Sequence, residues 1–109
     1  MKHQKMIVQN LRAMKIDDTN KNTIVLITTK GCEGCSIARR NIKEAISATN
    51  KNVVFKEVDL RDVEKDFLIK QRIRDFPTIL IYNRSTLRFK STGSGPVIFY
   101  LRYFDLYCL

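Results

Sequence analysis

Two cysteines separated by two residues, in Cys32-Glu33-Gly34-Cys35, are the residues of this 109-residue chain best suited by type and spacing to do chemistry. A pair at that spacing either shares a metal ion or exchanges electrons as dithiol and disulfide. A structural zinc site needs four ligands. Only His3 and Cys108 remain as soft ligands, and they lie at opposite ends of the chain. No metal is therefore expected, and redox chemistry is. Thiol–disulfide exchange needs no organic cofactor, and none is expected. Cys108, next to the C-terminus, reads as an inert thiol.

Placement adds to the spacing. The pair follows the β-branched apolar run Thr23–Thr28 and precedes Ile37, Ala38, Ile42, Ala45 and Ile46, apolar residues at helical intervals out to about Thr49. It therefore opens a helix. Backbone N–H groups are unpaired at a helix start, and the helix dipole is positive there. A thiolate at Cys32 is stabilised by both and becomes a nucleophile near neutral pH. Cys32 is expected to attack a substrate disulfide. Cys35, one turn deeper, would resolve the mixed disulfide and release reduced substrate. Lys30 should favour the thiolate and Glu33 should oppose it. Gly34 leaves the turn unhindered.

The elements that position the pair follow from hydrophobic period and turn residues. Met6, Ile7, Leu11 and Met14 give an N-terminal helix reaching Lys15, and Asp17–Asn22 is a polar turn. Thr23–Thr28 is a first strand and Val53–Val58 a second, separated by the helix and the breaker Asn50-Lys51-Asn52. Asp62 to Arg72 reads as a helix with Val63, Phe67, Leu68 and Ile73 facing inward. Pro77 opens a third strand, Thr78–Tyr82, and Asn83–Thr86 is a turn. In the fourth strand, Leu87–Ser91, Leu87 and Phe89 share a buried face while Arg88 and Lys90 face out, which suits an exposed edge. After the loop Thr92–Gly95, Pro96 sits in the first turn of a last helix to about Tyr107. Val97, Leu101, Phe104 and Cys108 form its core stripe, with Ile98, Tyr100, Tyr103 and Tyr107 on other sides. A helix this apolar is either sunk in the core or covered by a protein partner.

The first two strands flank a helix and should be parallel through a right-handed crossover. The last two are joined by a short turn and should be antiparallel. The expected fold is α/β: a mixed four-stranded sheet flanked by helices on both faces, with an extra N-terminal helix. One domain spanning 1–109 is expected from the length.

Composition excludes several classes. A hydrophobic fraction of 44 % is too high for a disordered chain. No uninterrupted apolar run exceeds five residues, so no membrane-spanning helix is expected. Met1–Ile16 lacks the apolar stretch of a secretory signal, and a cytoplasmic location is expected. The formal net charge of +9 divides as +3, +3, 0 and +3 over residues 1–29, 30–51, 52–75 and 76–109. Such scatter describes a solvated surface, and without a recognition motif no nucleic-acid partner is expected.

Three separated features resemble the thioredoxin superfamily. They are the strand–turn–Cys32-Glu33-Gly34-Cys35–helix unit, the segment Arg72-Ile73-Arg74-Asp75-Phe76-Pro77-Thr78, and Gly93 after the fourth strand. The resemblance covers about residues 6–107. It implies a thioredoxin-like fold with a cis Phe76–Pro77 bond, the proline lying against the nucleophilic sulfur. It also implies a groove lined by Gly31, Phe76, Pro77 and Gly93, to which an extended substrate adds as a strand. The chain departs from thioredoxins proper, which carry Trp-Cys-Gly-Pro-Cys and a buried Asp six residues before the first cysteine. Gly31 replaces the Trp, Glu33-Gly34 replace Gly-Pro, and Leu26 stands at the acid's position. Lacking that acid, the chain is closer to glutaredoxins, but without their Cys-Pro-Tyr-Cys motif. Asp59 reads as a strand end and could replace the acid only by turning toward Cys35.

The function expected is a thiol–disulfide oxidoreductase that reduces intracellular protein disulfides, with a reductase or glutathione as electron donor. The alternative is an adaptor or structural subunit of a larger complex, with little or no turnover.

Overall fold

Seven consecutive residues, Asn22–Thr28, are buried, and this run (β1) is an inner strand of the sheet. The computed structural model describes residues 22–109; the helix expected within Met6–Lys15 lies outside the described residues. β2 (Val53–Asp59) pairs in parallel with β1. β3 (Thr78–Asn83) pairs antiparallel with its other side, and β4 (Thr86–Thr92) pairs antiparallel with β3. The sheet order is β2-β1-β3-β4, with β1 and β3 inside. β1 and β3 are near-continuous apolar runs because both faces of an inner strand are covered.

Among the described residues, three helices provide that cover. α1 (Glu33–Ala48) buries Ala38, Ile42 and Ala45 against Ile24, Leu26, Ile79 and Ile81. α3 (Val97–Tyr107) packs on the same face through Tyr100 and Phe104, joined by Cys108 beyond its end. On the opposite face, α2 (Lys65–Lys70) brings Phe67 against Val25, Ile27, Leu80 and Tyr82, together with Val63 and Ile73 from its flanks. The architecture is the expected mixed four-stranded sheet with helices on both faces.

Local physics moves several expected boundaries. Asn22 belongs to β1, not to the preceding turn. Its buried amide donates to the carbonyls of Asn52 and Leu109 and accepts from Asn83 Nδ2 and Leu109 N–H, so a turn-type residue is satisfied inside the sheet. The expected helix over Asp62–Arg72 is only α2. Asp59 accepts from Arg61 N–H at 2.8 Å and caps a 3-10 turn, Leu60–Asp62. Val63 is then extended and buried, and Arg72 ends the helical stretch in the left-handed region at φ 56°. Pro96 caps α3 and is not part of its first turn.

Two corrections change which side chains are inside. Arg84 and Ser85 both have positive φ, 54° and 76°, so the hairpin loop is the two-residue type that matches strand twist. Beyond it the register shifts between Ile81 and Tyr82: Tyr82 pairs with Leu87 and Ile81 with Phe89, leaving Arg88 bulged. The bulge places Leu87 and Phe89 on opposite faces. Leu87 packs with the α2 side, while Phe89 packs with the α3 side and stacks on Tyr107 at 4.7 Å. In α3, Tyr100 is 1 % exposed and is part of the core stripe, not of another side. Its hydroxyl accepts the Gly95 N–H at 3.1 Å, which satisfies the polar end of a buried ring.

Candidate active site

Strand direction gathers the residues singled out above at one end of the sheet. β1 and β2 end there, β3 starts there, and β4 ends there. The Cys turn, the Asp59–Asp62 segment, the Arg72–Pro77 loop and the Gly93–Gly95 loop therefore share one rim. Gly93 N–H donates to the Pro77 carbonyl at 2.8 Å, tying the last two together. Gly93 has φ 85°, a conformation that glycine adopts without strain. The first turn of α1 closes on them from the other side. A Cβ at Gly34 would lie 3.3 Å from Pro77 Cδ and 3.8 Å from Ser94 Oγ, so glycine permits this approach. The Phe76–Pro77 peptide is cis.

The two cysteines form a disulfide, with Cα atoms 5.2 Å apart. Their surroundings differ. Cys32 is the N-cap residue of α1, and its Sγ accepts the Cys35 N–H at 3.0 Å. The sulfur occupies the place where a cap side chain meets an otherwise unpaired donor. Cys32 is half-buried, whereas Cys35 is 3 % exposed. The first cysteine is open to approach, and the second is almost closed to solvent.

Gly31 turns the chain at φ 71° just before the cap and is exposed. Lys30 is exposed beside it, and Glu33 is exposed in the first turn of α1. Pro77 is buried against the Cys turn. Phe76 is half-buried, with its ring against the core cluster on the α2 side. Leu26 is fully buried beneath α1. Asp59 ends β2 and directs its carboxylate to Arg61, accepting from N–H at 2.8 Å and Nε at 2.9 Å. The Arg61 guanidinium holds it below the usual carboxylate range.

One charged pair escaped the sequence reading. Arg39 lies four residues after Cys35 on α1 and forks onto Glu57 of β2, Nε to Oε1 at 2.8 Å and Nη2 to Oε2 at 2.7 Å. The fork holds Glu57 below the usual carboxylate range, against the opposing effect of burial, and raises Arg39 further. An open depression of about 380 Å³ beside the disulfide is lined by Cys32, Cys35, Ser36 and Arg39, among others. The four-residue spacing from Cys35 was visible in the sequence; the partner on β2 was not, because it depends on the register that sets Leu26 beside Glu57.

Cys108 is buried far from this rim, and burial pushes its thiol up to about 11, opposed by the Lys51 charge. Among the described residues no group of three or more His, Cys, Asp or Glu is placed to hold a metal ion, and no helix is long and apolar enough to cross a membrane. The exposed apolar residues of α3 are Ile98, Phe99 and Leu106.

Comparison with known proteins agrees with this geometry. The family model described as Thioredoxin matches residues 5–97. No curated protein sequence matches the chain. Among solved structures, chloroplastic thioredoxin z is 18 % identical, with a TM-score of 0.71 over 97 % of this chain and 94 % of that one. Thioredoxin-2 of the malaria parasite, a component of that parasite's protein secretion machinery, is 14 % identical, with a TM-score of 0.70 over 84 % and 87 %. A thioredoxin of Malassezia sympodialis is 16 % identical, with a TM-score of 0.67 over 94 % and 90 %. At these identities the likeness to the solved structures is one of fold.

Proposed function

The chain belongs to the thioredoxin family, whose fold and Cys-x-x-Cys pair support a thiol–disulfide oxidoreductase in general; from that premise we propose that it is a reductant of protein disulfides. The observation that carries this reading is the position of Cys32 Sγ at the cap of α1, accepting the Cys35 N–H. The same donor and the positive helix end would stabilise the thiolate once the disulfide is opened. Cys32 attacks a substrate sulfur, forming a mixed disulfide and releasing the other substrate sulfur as thiolate. Cys35 loses its proton and attacks Cys32 Sγ. The mixed disulfide breaks, the second substrate sulfur leaves as thiolate, and Cys32–Cys35 is the new bond. Two electrons pass to the substrate, and a reductase or glutathione returns them.

The rim supplies the remaining roles. On this reading Gly31, Pro77 and Gly93 line the substrate groove, and the backbone at Phe76, just ahead of β3, is where an extended substrate segment adds as a strand. Lys30 and Glu33 act oppositely on the Cys32 thiolate through their charges. Residues 1–109 act as one domain, in a reducing compartment such as the cytoplasm, where a single unpaired Cys108 is tolerated. Insulin reduction with dithiothreitol as electron source tests the reading. The full chain should bring turbidity on sooner than dithiothreitol alone, and Cys32→Ser should return it to the uncatalysed time. Undiminished activity in Cys32→Ser would overturn the proposal.

A second reading, an adaptor with little turnover, draws on the exposure of Ile98, Phe99 and Leu106 along α3 and on Leu26 at the position of the family's buried acid. Size-exclusion with light scattering separates the two. A stable assembly without insulin-reducing activity supports the adaptor, and an active monomer removes it.

A further inference from the structure

In the proposed cycle the resolving sulfur must lose a proton while buried. Cys35 is 3 % exposed, and burial disfavours a thiolate unless a positive charge lies near. Leu26, beneath α1, offers neither a charge nor a proton acceptor. The depression beside Cys35 has two charged lining residues among the described ones, Glu33 and Arg39. Glu33 is exposed at the helix start and its charge opposes a thiolate. Arg39 lies one helical turn after Cys35, and side chains four apart on a helix are neighbours. Its fork onto Glu57 occupies Nε and Nη2 and leaves Nη1 outside the pair. A long, flexible cation is thereby held in one place at the wall of the sulfur's pocket.

We propose that Arg39, anchored by Glu57, is the counter-charge for Cys35 and sets the pH at which the resolving step runs. This rests on the reading of Cys35 as the resolving thiol. Arg39 makes and breaks no bond in that step. It stabilises the charge left on Cys35 Sγ between loss of the proton and attack on Cys32 Sγ. The other charges around the site are placed differently. Glu57 is the anchor, and its own charge offsets part of that of Arg39; Lys43 adds a positive contribution at Glu57 from the next turn of α1. On β2 and beyond, Asp59 is paired with Arg61. Lys30 is exposed beyond the cap, on the Cys32 side.

The test measures the ionisation of Cys35 without turnover. In full-length Cys32→Ser, iodoacetamide modification of Cys35 is followed against pH and resolved by peptide mass from that of Cys108. The pH midpoint reports charge, whereas the plateau rate reports access. Adding Arg39→Gln should raise the midpoint by about one pH unit, which makes modification about tenfold slower at neutral pH. Adding Arg39→Lys, which keeps the charge, should recover most of the shift. Arg39 is on the surface of α1, and melting curves check that each variant folds. An unchanged midpoint in Arg39→Gln would overturn the proposal, as would equal shifts in Arg39→Gln and Arg39→Lys. Either result leaves the reductase reading standing, whereas a wild-type chain inactive on insulin removes that reading without touching the midpoint.

Discussion

Cys32 caps α1 and is half-buried, whereas Cys35 lies inside the helix and is buried, so the two should fail differently when replaced. In Cys35→Ser the first attack can occur and the second cannot. That variant should accumulate a mixed disulfide with a disulfide-bonded protein such as insulin, visible by mass and released by dithiothreitol. Cys32→Ser should trap none; trapping through Cys35 instead would reverse the assigned roles. Cys108 is a thiol of another kind. Burial pushes it up to about 11, above the ordinary thiol value near 8.5. Because the folded value is the raised one, the neutral thiol's contribution to stability is complete below about pH 8.5 and is lost as the pH rises toward 11. Any advantage in melting temperature of wild type over Cys108→Ala should therefore shrink between pH 8 and pH 10.5, and parallel curves would contradict this. Cys32 and Cys35 were legible in the sequence because their chemistry depends on spacing and on the helix start. Arg39 was not, because its meaning depends on Glu57, on a strand eighteen residues away.

At the scale of elements, the turns carry backbone choices that substitutions can probe. Gly93 has φ 85° with open space where a Cβ would go, so Gly93→Ala meets backbone strain alone. It should cost about 1–2 kcal/mol and lower the melting temperature by several degrees. An unchanged melt would mean that the Gly93–Pro77 link bends without cost. The β3–β4 turn gives the opposite case. Arg84 and Ser85 hold positive φ with side chains that disfavour it. Arg84→Asn with Ser85→Gly should raise stability by about 1–2 kcal/mol, read as a higher denaturant midpoint at unchanged slope. The existence and order of β1–β4 and of α1 and α3 were readable from period and punctuation. The Arg88 bulge was not, because an extra residue in one strand is defined only against its partner. The short α2 was not either: the 3-10 turn capped by Asp59 and the left-handed Arg72 interrupt what the apolar spacing alone would continue.

At the scale of the whole molecule, the sheet separates two apolar cores and divides its ends between tasks. One end presents the cysteines. The other is tied shut by Asn22 and Asn83, which bind the backbone at Asn52, Tyr107 and Leu109 and fasten the chain's last residues to the strands. Chemistry at the first end can therefore proceed on a scaffold held at the second. The formal net charge of +9 is dispersed along the sequence and is not concentrated in one segment. If the Cys32–Cys35 pair cycles as a two-electron reductant, equilibration of the full chain against glutathione buffers of graded potential, followed by acid quench, alkylation and mass, should show it. The expected result is one cooperative gain of two labels, with a midpoint on the reducing side of about −200 mV, within the range of known reductants of this chemistry. A pair that gains no labels across the range, or that changes over near −120 mV as strong oxidants do, would contradict it.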